Sequence, residues 1–303
     1  MINRDFYNRL AEIVSEEEIL QNEQMSKHTT FRIGGNADMF VSPKKDQVAD
    51  IIALAKKYEV PVTIIGNGSN LLVGDKGIRG LVLSFGKEAE EIMVDGNCMV
   101  VSAGALLSKI AAEAAKRSLT GFEFAAGIPG TLGGAIVMNA GAYGGELKDV
   151  LISATVLTPE GKVLELSNGE LELSYRHSCI PEKGYIVLEA VLEFMPGEET
   201  AIREKMADFK SRRVEKQPLE YPSAGSTFKR PEGYFAGKLI QDAELRGYRV
   251  GGAQVSEKHC GFVINRENAT ANDVLQLIED VKRMVYDKFQ VELEPEVRMI
   301  GEF

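Results

Sequence analysis

The stretch GFEFAAGIPGTLGGAIVMNAGAYGG, from Gly121 to Gly145, decides the fold that this sequence predicts. Eight of its 25 residues are glycine, and no charged side chain occurs between Glu123 and Glu146. Glycine loses much conformational entropy on folding and offers no side chain for packing, so this density indicates backbone that bends sharply or approaches a ligand closely. We interpret the segment as a cradle for a large cofactor, whose phosphates or rings would face bare amide groups. A set of tight turns between short strands is the alternative.

Composition and charge restrict the class of protein. A chain of 303 residues is long enough for two or three domains with full-sized cores. The net charge of −10 and the absence of a basic block argue against a general nucleic-acid binder. No apolar run reaches the length of a membrane span, so we expect no membrane association.

Cysteine and histidine usage predicts a reduced, metal-free protein. The three cysteines, Cys98, Cys179 and Cys260, are odd in number and far apart, and the start MINRDFYNRL lacks the apolar stretch of a signal peptide. We therefore expect a cytoplasmic protein with free thiols. No grouping of Cys, His and carboxylates has zinc spacing, so no metal is expected.

Local patterns predict an α+β chain rather than a doubly wound sheet. Apolar periodicity predicts an N-terminal helix with Phe6 and Leu10 on its apolar face. Further helices are predicted over 46–58, 106–118, 198–216, 236–245 and from Thr270 onward. Strands are predicted within 29–42, in PVTIIGNGSNLLV on both sides of its polar loop, in IRGLVLS and YIVLEAVLEF, over 261–265, and in hairpins turning at Asp95-Gly96 and Glu160-Gly161. Boundaries are expected near Gly86 and at a proline-containing linker, 217–223.

The loop GNGSN, residues 66–70, is a second candidate for phosphate binding. It lacks the third glycine of the dinucleotide fingerprint, because Leu71 stands there, and a strand rather than a helix is predicted to follow. Its small polar residues can still donate hydrogen bonds to a diphosphate. Together with AGIPGTLGG, where Thr131 is expected to begin a helix, the loop indicates a two-part phosphate site.

An ordered set of motifs resembles the family of UDP-N-acetylenolpyruvoylglucosamine reductases. The set comprises GNGSN, GTLGG with NAGAYGG, YRHS, GSTF and EPEVR, and the resemblance runs from about Thr29 to the C-terminus. It implies a two-part FAD-binding region of the vanillyl-alcohol-oxidase type, 1–86 and 87–215, and a C-terminal α+β substrate-binding domain, 216–303. The C-terminal strand is expected to return to the active site.

The resemblance also implies the cofactors and their contacts. FAD would be bound, with NADPH as co-substrate. The matching positions for FAD are Gly66, Asn67, Gly68, Ser69, Asn70, Leu71, Gly127, Ile128, Pro129, Gly130, Thr131, Gly133, Gly134, Asn139, Gly141 and Tyr175.

The implied reaction is reduction of UDP-N-acetylglucosamine enolpyruvate to UDP-N-acetylmuramate in peptidoglycan precursor synthesis. Hydride addition to the enolpyruvyl double bond builds negative charge at the neighbouring carbon, so the site needs a cation, an acid and an orienting polar group. The resemblance assigns enolate stabilisation to Arg176, proton donation to Ser226 and the carboxylate beside the reacting bond to Glu296. Without the resemblance, Arg176 would be interpreted as a surface salt-bridge partner, Ser226 as a turn hydroxyl that bonds local backbone, and Glu296 as a solvated strand residue.

Positive side chains near the predicted linker are candidates for the substrate diphosphate. Lys216 resembles the family's diphosphate lysine, and Arg213 and Arg230 could add positive charge beside it. Ordinary solvated lysine and arginine side chains would explain these residues equally well. The segment between Arg176 and Lys216 is too short for the extra tyrosine-bearing loop of some members, so the chain resembles the shorter, second type. His177 and Cys179 are interpreted as structural, and a monomer is expected.

Two other functions remain open from the residues. One is a flavin-dependent oxidase of the same fold, which often links its flavin covalently; no histidine lies in either glycine-rich loop to favour it. The other is a non-catalytic protein that binds a flavin or a sugar nucleotide.

Overall fold

The computed structural model describes residues 4–303, in which helices and strands are mixed along the chain as predicted. The chain divides into two units. The first comprises residues up to Leu20, Phe40–Asn67 and Gly80–Arg213, and the second comprises Gln21–Met39, Gly68–Arg79 and Val214–Phe303. The functional domains 1–86, 87–215 and 216–303 stay a prediction, and residues 1–3 of the first lie outside the described part.

The first unit is built around an antiparallel sheet of five strands. In sheet order these are Val163–Ser167, Leu151–Leu157, Ile186–Glu193, Cys98–Ser102 and Ile92–Asp95. Both predicted hairpins are confirmed, and Gly96 and Gly161 adopt positive φ values of 57° and 82° in their turns. A side chain at such a position would be strained, which is why glycine marks these turns.

The remaining elements of this unit are helices and short paired strands. Its helices are Arg4–Ile13, Val48–Lys57, Leu107–Lys116, Leu132–Val137 and Ile180–Lys183, with most of Glu199–Lys216. Strand Val62–Ile65 pairs in parallel with the part of Ile78–Ser84 that begins at Leu81. Two further antiparallel pairs are Gly141–Ala142 with Gly145–Glu146, and Leu119–Thr120 with Met195–Pro196.

The second unit has an antiparallel sheet of four strands and a long helix. In sheet order the strands are Ser223–Ser226, Phe262–Asn265, Ala253–Val255 and Arg249–Val250. The helices are Ala236–Asp242 and Ala271–Phe289. Val274, Leu277, Ile278, Val281 and Val285 of the long helix are fully buried in the core, as its apolar stripe predicts.

Thr270 begins the long helix as predicted. Its hydroxyl accepts a hydrogen bond from the backbone of Asp273, and the Asp273 carboxylate accepts one in return from Thr270. The Asp75 carboxylate also accepts from the first two helical amides, of Ala271 and Asn272. The N-terminal donors of this helix are therefore satisfied by side chains of its own unit.

The sequence analysis missed the strand Leu20–Gln24 and a set of strands of two to four residues, and it did not predict the partner of the expected C-terminal strand. Leu20–Gln24 is mostly exposed and polar, so it carries no alternating pattern. Arg298–Ile300, near the C-terminus, pairs in parallel with Leu71–Val73, opposite a segment more than 200 residues away in the sequence. Parallel pairs give no local turn signal, so the pairing partner was not predictable from the residues.

Candidate active site

Thr131 has a buried hydroxyl that no part of residues 4–303 satisfies. The residue is 2% exposed and precedes helix Leu132–Val137, yet its side chain makes no capping hydrogen bond. A β-carbon on Gly66 would lie 2.3 Å from this hydroxyl oxygen. Because an unpaired buried hydroxyl is costly and the facing position has no room for a side chain, Thr131 and Gly66 fit contact with a polar ligand group.

The neighbouring turn places the rest of the AGIPG motif. The Asn67 side chain donates to the Pro129 carbonyl oxygen at 2.8 Å. The Ile128 and Gly130 amides donate to the carbonyl oxygens of Ala125 and Ile128. Asn67 therefore links the predicted loop 66–70 to the glycine-rich segment within the first unit.

Two of the first amides in the helix that follows Thr131 donate hydrogen bonds to another segment of the chain. Leu132 and Gly133 donate their backbone N–H groups to the carbonyl oxygens of Ala105 and Ala103, at 2.9 and 2.8 Å. A β-carbon on Gly133 would also lie 3.0 Å from that of Ala103. These two amides hold the segment against the chain at 103–105, and a β-carbon on Gly134 would lie in ordinary contact with the Thr131 hydroxyl oxygen, at 3.8 Å.

Arg213 lies against the same motif. A β-carbon on Gly127 would lie 3.1 Å from its Cδ. Burial lowers the pKa of this guanidinium, and no carboxylate among the described residues pairs with it. A half-buried cation without a carboxylate partner is suited to an anionic ligand.

The end of the glycine-rich segment is a tight hairpin, as the alternative interpretation predicted. Gly141 pairs with Glu146, and a β-carbon on Gly145 would lie 2.6 Å from the ring of Phe124. Tyr143, with a positive φ of 54°, stacks on Phe209 with ring centroids 4.5 Å apart. The two interpretations thus apply to different halves of the segment.

Arg176 occupies a two-residue turn. Ser174 and His177 exchange backbone hydrogen bonds of 3.2 Å in both directions, which leaves Tyr175 and Arg176 at the tip. Arg176 has a positive φ of 56°, and its guanidinium carbon lies 5.1 Å from the centre of the Tyr175 ring. Left-handed backbone is uncommon for a residue with a side chain and is often found at functional sites.

Ser226 and Glu296 are brought together in the second unit through Thr227. Ser226 pairs with Phe262, and Thr227 donates its N–H to the Gly261 carbonyl oxygen at 2.8 Å. On the other side, Glu296 donates its N–H to the Thr227 carbonyl oxygen at 2.8 Å. Both side chains are half-buried. Arg176 belongs to the first unit.

The second half of the predicted loop 66–70 is fixed within the same unit as Ser226. Gly68 accepts a hydrogen bond from Thr30, and a β-carbon on it would lie 2.0 Å from the His28 carbonyl oxygen. Asn70 donates its side-chain amide to the Glu296 carbonyl oxygen at 3.1 Å. Asn70 therefore ties this loop to the backbone of the predicted catalytic glutamate, while Ser69 is half-buried and Leu71 begins a strand.

The other predicted substrate residues lie in the second unit. Lys216 is exposed and ends helix Glu199–Lys216. Arg230 lies over the Phe235 ring, 4.0 Å from its centre, and donates to the Tyr234 carbonyl oxygen. Lys229 forms an ion pair with Glu294.

His177 and Cys179, in the first unit, have structural contacts. His177 exchanges backbone hydrogen bonds with Ser174. Cys179 is buried, and its thiol donates to the Glu170 carbonyl oxygen.

Sequence reasoning missed the residues that hold the site. Thr227 accepts a hydrogen bond from Val263 through its hydroxyl, and Ser178 donates to the Val137 carbonyl oxygen. Their only signal was position, since each lies within two residues of a predicted catalytic residue. Across residues 4–303 there is no cluster of three potential metal ligands. None of the helices in that range is both long and apolar enough to cross a lipid bilayer.

Comparison with known proteins shows similarity over the whole chain. Residues 37–167 match the family described as FAD binding domain, and residues 217–300 match UDP-N-acetylenolpyruvoylglucosamine reductase, C-terminal domain. A UDP-N-acetylenolpyruvoylglucosamine reductase of Agathobacter rectalis is 58% identical, with all of both chains covered. One from Caldanaerobacter subterraneus is 52% identical over 97% of this chain and 98% of that protein.

Solved structures agree with this similarity. The crystal structure of UDP-N-acetylenolpyruvylglucosamine reductase from Thermus caldophilus has a TM-score of 0.80 and 34% identity, over 94% of this chain and 98% of that chain. An alkyldihydroxyacetonephosphate synthase, 18% identical with a TM-score of 0.50 over 65% of this chain and 41% of its own, shares the fold alone.

The matched FAD-binding region contains the orphaned Thr131 hydroxyl and the tight approach at Gly66. A phosphate or ring oxygen of FAD would satisfy that hydroxyl, so the residues present fit the cofactor. FAD is therefore the bound cofactor, with NADPH as co-substrate. Full-length identity of 58% and the matching C-terminal domain lead to one assignment. The chain belongs to the family of UDP-N-acetylenolpyruvoylglucosamine reductases.

Proposed function

We propose that this chain reduces UDP-N-acetylglucosamine enolpyruvate to UDP-N-acetylmuramate in peptidoglycan precursor synthesis, as an NADPH-dependent flavin oxidoreductase. Full-length similarity to reductases of that substrate supports the reaction. When bound, FAD supplies the chemistry of hydride transfer, from NADPH to the enolpyruvyl double bond. The residues of the chain bind the substrate, orient its enolpyruvyl group and supply the proton.

Ser226 donates the proton that completes reduction. Hydride adds to one carbon of the double bond, and the electron pair of the broken π bond then takes the serine proton at the other carbon. A serine hydroxyl is a very weak acid, but a carbanion-like centre is basic enough to accept its proton when the two are held together. The observation that carries this role is the Ser226–Thr227–Glu296 arrangement, which fixes an acid and a carboxylate on adjacent backbone.

Arg176 and Glu296 act on the charge that develops. The Arg176 guanidinium is suited to the substrate carboxylate, into which the negative charge spreads. Its left-handed turn supports this role, because strained backbone is retained where it positions a side chain. Glu296 orients the reacting group beside Ser226.

Three cations are assigned to the substrate diphosphate. Arg213 has the strongest support, since it is half-buried and no described carboxylate neutralises it. Lys216 and Arg230 add positive charge from more exposed positions. Binding energy from this remote part of the substrate helps to hold the enolpyruvyl group in place.

One optical experiment tests the function. Purified protein is expected to be yellow, to bleach with NADPH without oxygen, and to recolour on addition of the enolpyruvyl sugar nucleotide. Failure to recolour would contradict the proposed reaction. Bleaching by an alcohol substrate followed by rapid recolouring in oxygen would indicate an oxidase. Binding of the flavin or the sugar nucleotide without any bleaching by NADPH would indicate a non-catalytic protein.

We further infer a cytoplasmic monomer. Cys98, Cys179 and Cys260 are unpaired, which supports a reducing compartment. Light scattering of the purified protein measures the oligomeric state, and a mass of twice 33.2 kDa would contradict the monomer.

A further inference from the structure

The turn that carries Arg176 is anchored on both sides by side chains that are almost completely buried. Ser174 precedes the Tyr175–Arg176 tip and Ser178 follows it closely. Within the turn, Ser174 and His177 exchange two backbone hydrogen bonds across the tip. Left-handed φ at Arg176 is unfavourable for a residue with a β-carbon, so the surrounding contacts must maintain it.

Asn139 provides the anchor before the tip. Its Nδ2 donates to the Ser174 carbonyl oxygen at 3.1 Å and to the Glu146 carboxylate at 2.6 Å. Its Oδ1 accepts from the Lys148 amide at 3.0 Å. Both amide hydrogens are thus used within the chain and the residue is 1% exposed, so its orientation is fully specified.

Ser178 provides the anchor after the tip. Its hydroxyl donates to the Val137 carbonyl oxygen at 2.7 Å, and the residue is 1% exposed. Val137 is the last residue of helix Leu132–Val137, where carbonyl groups lack partners within the helix. Both anchors therefore join the turn to the end of the short helix whose first residue follows Thr131.

We propose that Asn139 and Ser178 are positioning residues that hold Arg176 in register with the flavin-binding segment. The helix carries the orphaned Thr131 hydroxyl at one end and both anchors at the other. This short helix therefore connects the flavin-binding segment to the turn that carries the arginine proposed to stabilise the enolate. The proposal rests on the function proposed above, and it gives Asn139 a task other than direct contact with FAD.

Ser178→Ala removes one hydroxyl and tests the proposal. The matched control is Ser153→Ala, because Ser153 is also buried in the first unit and donates to a side chain, Glu165, at 2.7 Å. Bound FAD, thermal unfolding and the two half-reactions are measured separately in anaerobic rapid mixing. We expect Ser178→Ala to slow reoxidation by the enolpyruvyl substrate about tenfold, because small misplacements of a catalytic group are costly. Reduction by NADPH should stay within about twofold of wild type, since it precedes the Arg176 step.

A double-mutant cycle separates positioning from general damage. In an Arg176→Lys background, Ser178→Ala should change reoxidation by less than about twofold, because a residue that acts through Arg176 cannot add to its loss. Ser178→Thr, which keeps the hydroxyl, should recover most of the rate. Asn139→Ala should slow reoxidation in the same way as Ser178→Ala; where it does not retain FAD, the Ser178 variants decide the proposal.

The proposal is overturned if Ser178→Ala and Ser153→Ala reoxidise equally fast. It is also overturned if Ser178→Ala slows reoxidation as much in the Arg176→Lys background as it does in the wild-type background. These results differ from failure of the proposed function. In that case the wild-type protein itself, reduced by NADPH, would not recolour with the enolpyruvyl sugar nucleotide.

Discussion

The backbone of Glu296 donates a hydrogen bond to the carbonyl oxygen of Thr227, at 2.8 Å. Thr227 directly follows Ser226, and the next pair along, Phe228 and Pro295, forms an antiparallel bridge. The proposed proton donor and carboxylate are therefore spaced by backbone pairing, which varies less than contacts between flexible side chains. Thr227 is itself 3% exposed and accepts from Val263, so this arrangement belongs to the sheet of the second unit.

Ser226→Ala should leave FAD content and bleaching by NADPH unchanged and slow recolouring by the substrate about a hundredfold or more, the usual range for losing a positioned acid. The two half-reactions are followed at the flavin absorbance by rapid mixing. Ser223→Ala, on the same strand, is the control and should behave as wild type. Recolouring of Ser226→Ala at the wild-type rate would remove Ser226 from the proton-donor role.

Thr131→Val should affect FAD binding and protein stability in opposite directions. Val has the shape of Thr without the hydroxyl, so the apoprotein should lose no stability and could gain about 1 kcal/mol from removal of an unpaired buried group. FAD should bind about tenfold more weakly, since one hydrogen bond to a charged group is lost. Apoprotein unfolding in urea and FAD titration by flavin fluorescence measure the two effects.

The control for this variant is Thr158→Val. Thr158 is also buried, but its hydroxyl accepts a hydrogen bond from Lys162. It should lose stability and keep its FAD affinity. Undiminished FAD binding by Thr131→Val would show that the hydroxyl does not contact the cofactor.

Glu123→Gln should destabilise the protein in a pH-dependent way. Burial alone raises the pKa of Glu123, but hydrogen bonds from Thr120 and Gly121 and the charge of Lys205 outweigh it, so the pKa lies below its usual range. A lowered folded-state pKa stabilises the fold above the unfolded value, about 4.3, and this stability disappears as pH falls through the folded value. We expect a loss of about 2 kcal/mol at neutral pH.

Urea unfolding at pH 7 and at lower pH measures this effect. The difference from wild type should shrink steadily below about pH 4, where the wild-type carboxylate is protonated as well. Glu204→Gln, an exposed carboxylate on helix Glu199–Lys216, is the control and should change little at either pH. An equal loss for Glu123→Gln at all pH values would indicate packing rather than charge.

Arg213→Gln should raise the KM for the enolpyruvyl sugar nucleotide about tenfold while leaving FAD content unchanged, because a charged hydrogen bond to the diphosphate is lost. Steady-state kinetics and the visible spectrum of the purified protein provide both values. Arg212→Gln is the neighbouring control, since Arg212 pairs with Asp208 at 2.7 Å on an exposed helix face. Loss of FAD in place of a raised KM would assign Arg213 to the cofactor.

Most helices and strands were predictable because their signals are local. The Asp95-Gly96 and Glu160-Gly161 turns and the long C-terminal helix each depend on residues within a few positions. The ordered motifs likewise identified the FAD-binding family before any coordinates. Element ends differed by a few residues, as in the helix expected over 236–245, which ends at Asp242.

Pairings between distant residues were not predictable, because no residue alone specifies its partner. The sequence showed a glycine-rich segment, but not that Gly66 and Gly127 make room for Thr131 and Arg213 while Gly141 and Gly145 form a hairpin.

By itself, the sequence determined the composition of the fold, the cofactor class and the candidate catalytic residues, since these depend on residue identity and order. Only the tertiary structure decided which polar groups remain unpaired and which side chains anchor a neighbour. Ser178 looks ordinary in the sequence, and Asn139 is matched there only as a flavin contact. Their proposed positioning role arises from burial and from carbonyl oxygens that folding brings within 3.1 Å. Hydrogen bonds of this kind depend on distance and direction, which the order of residues does not contain.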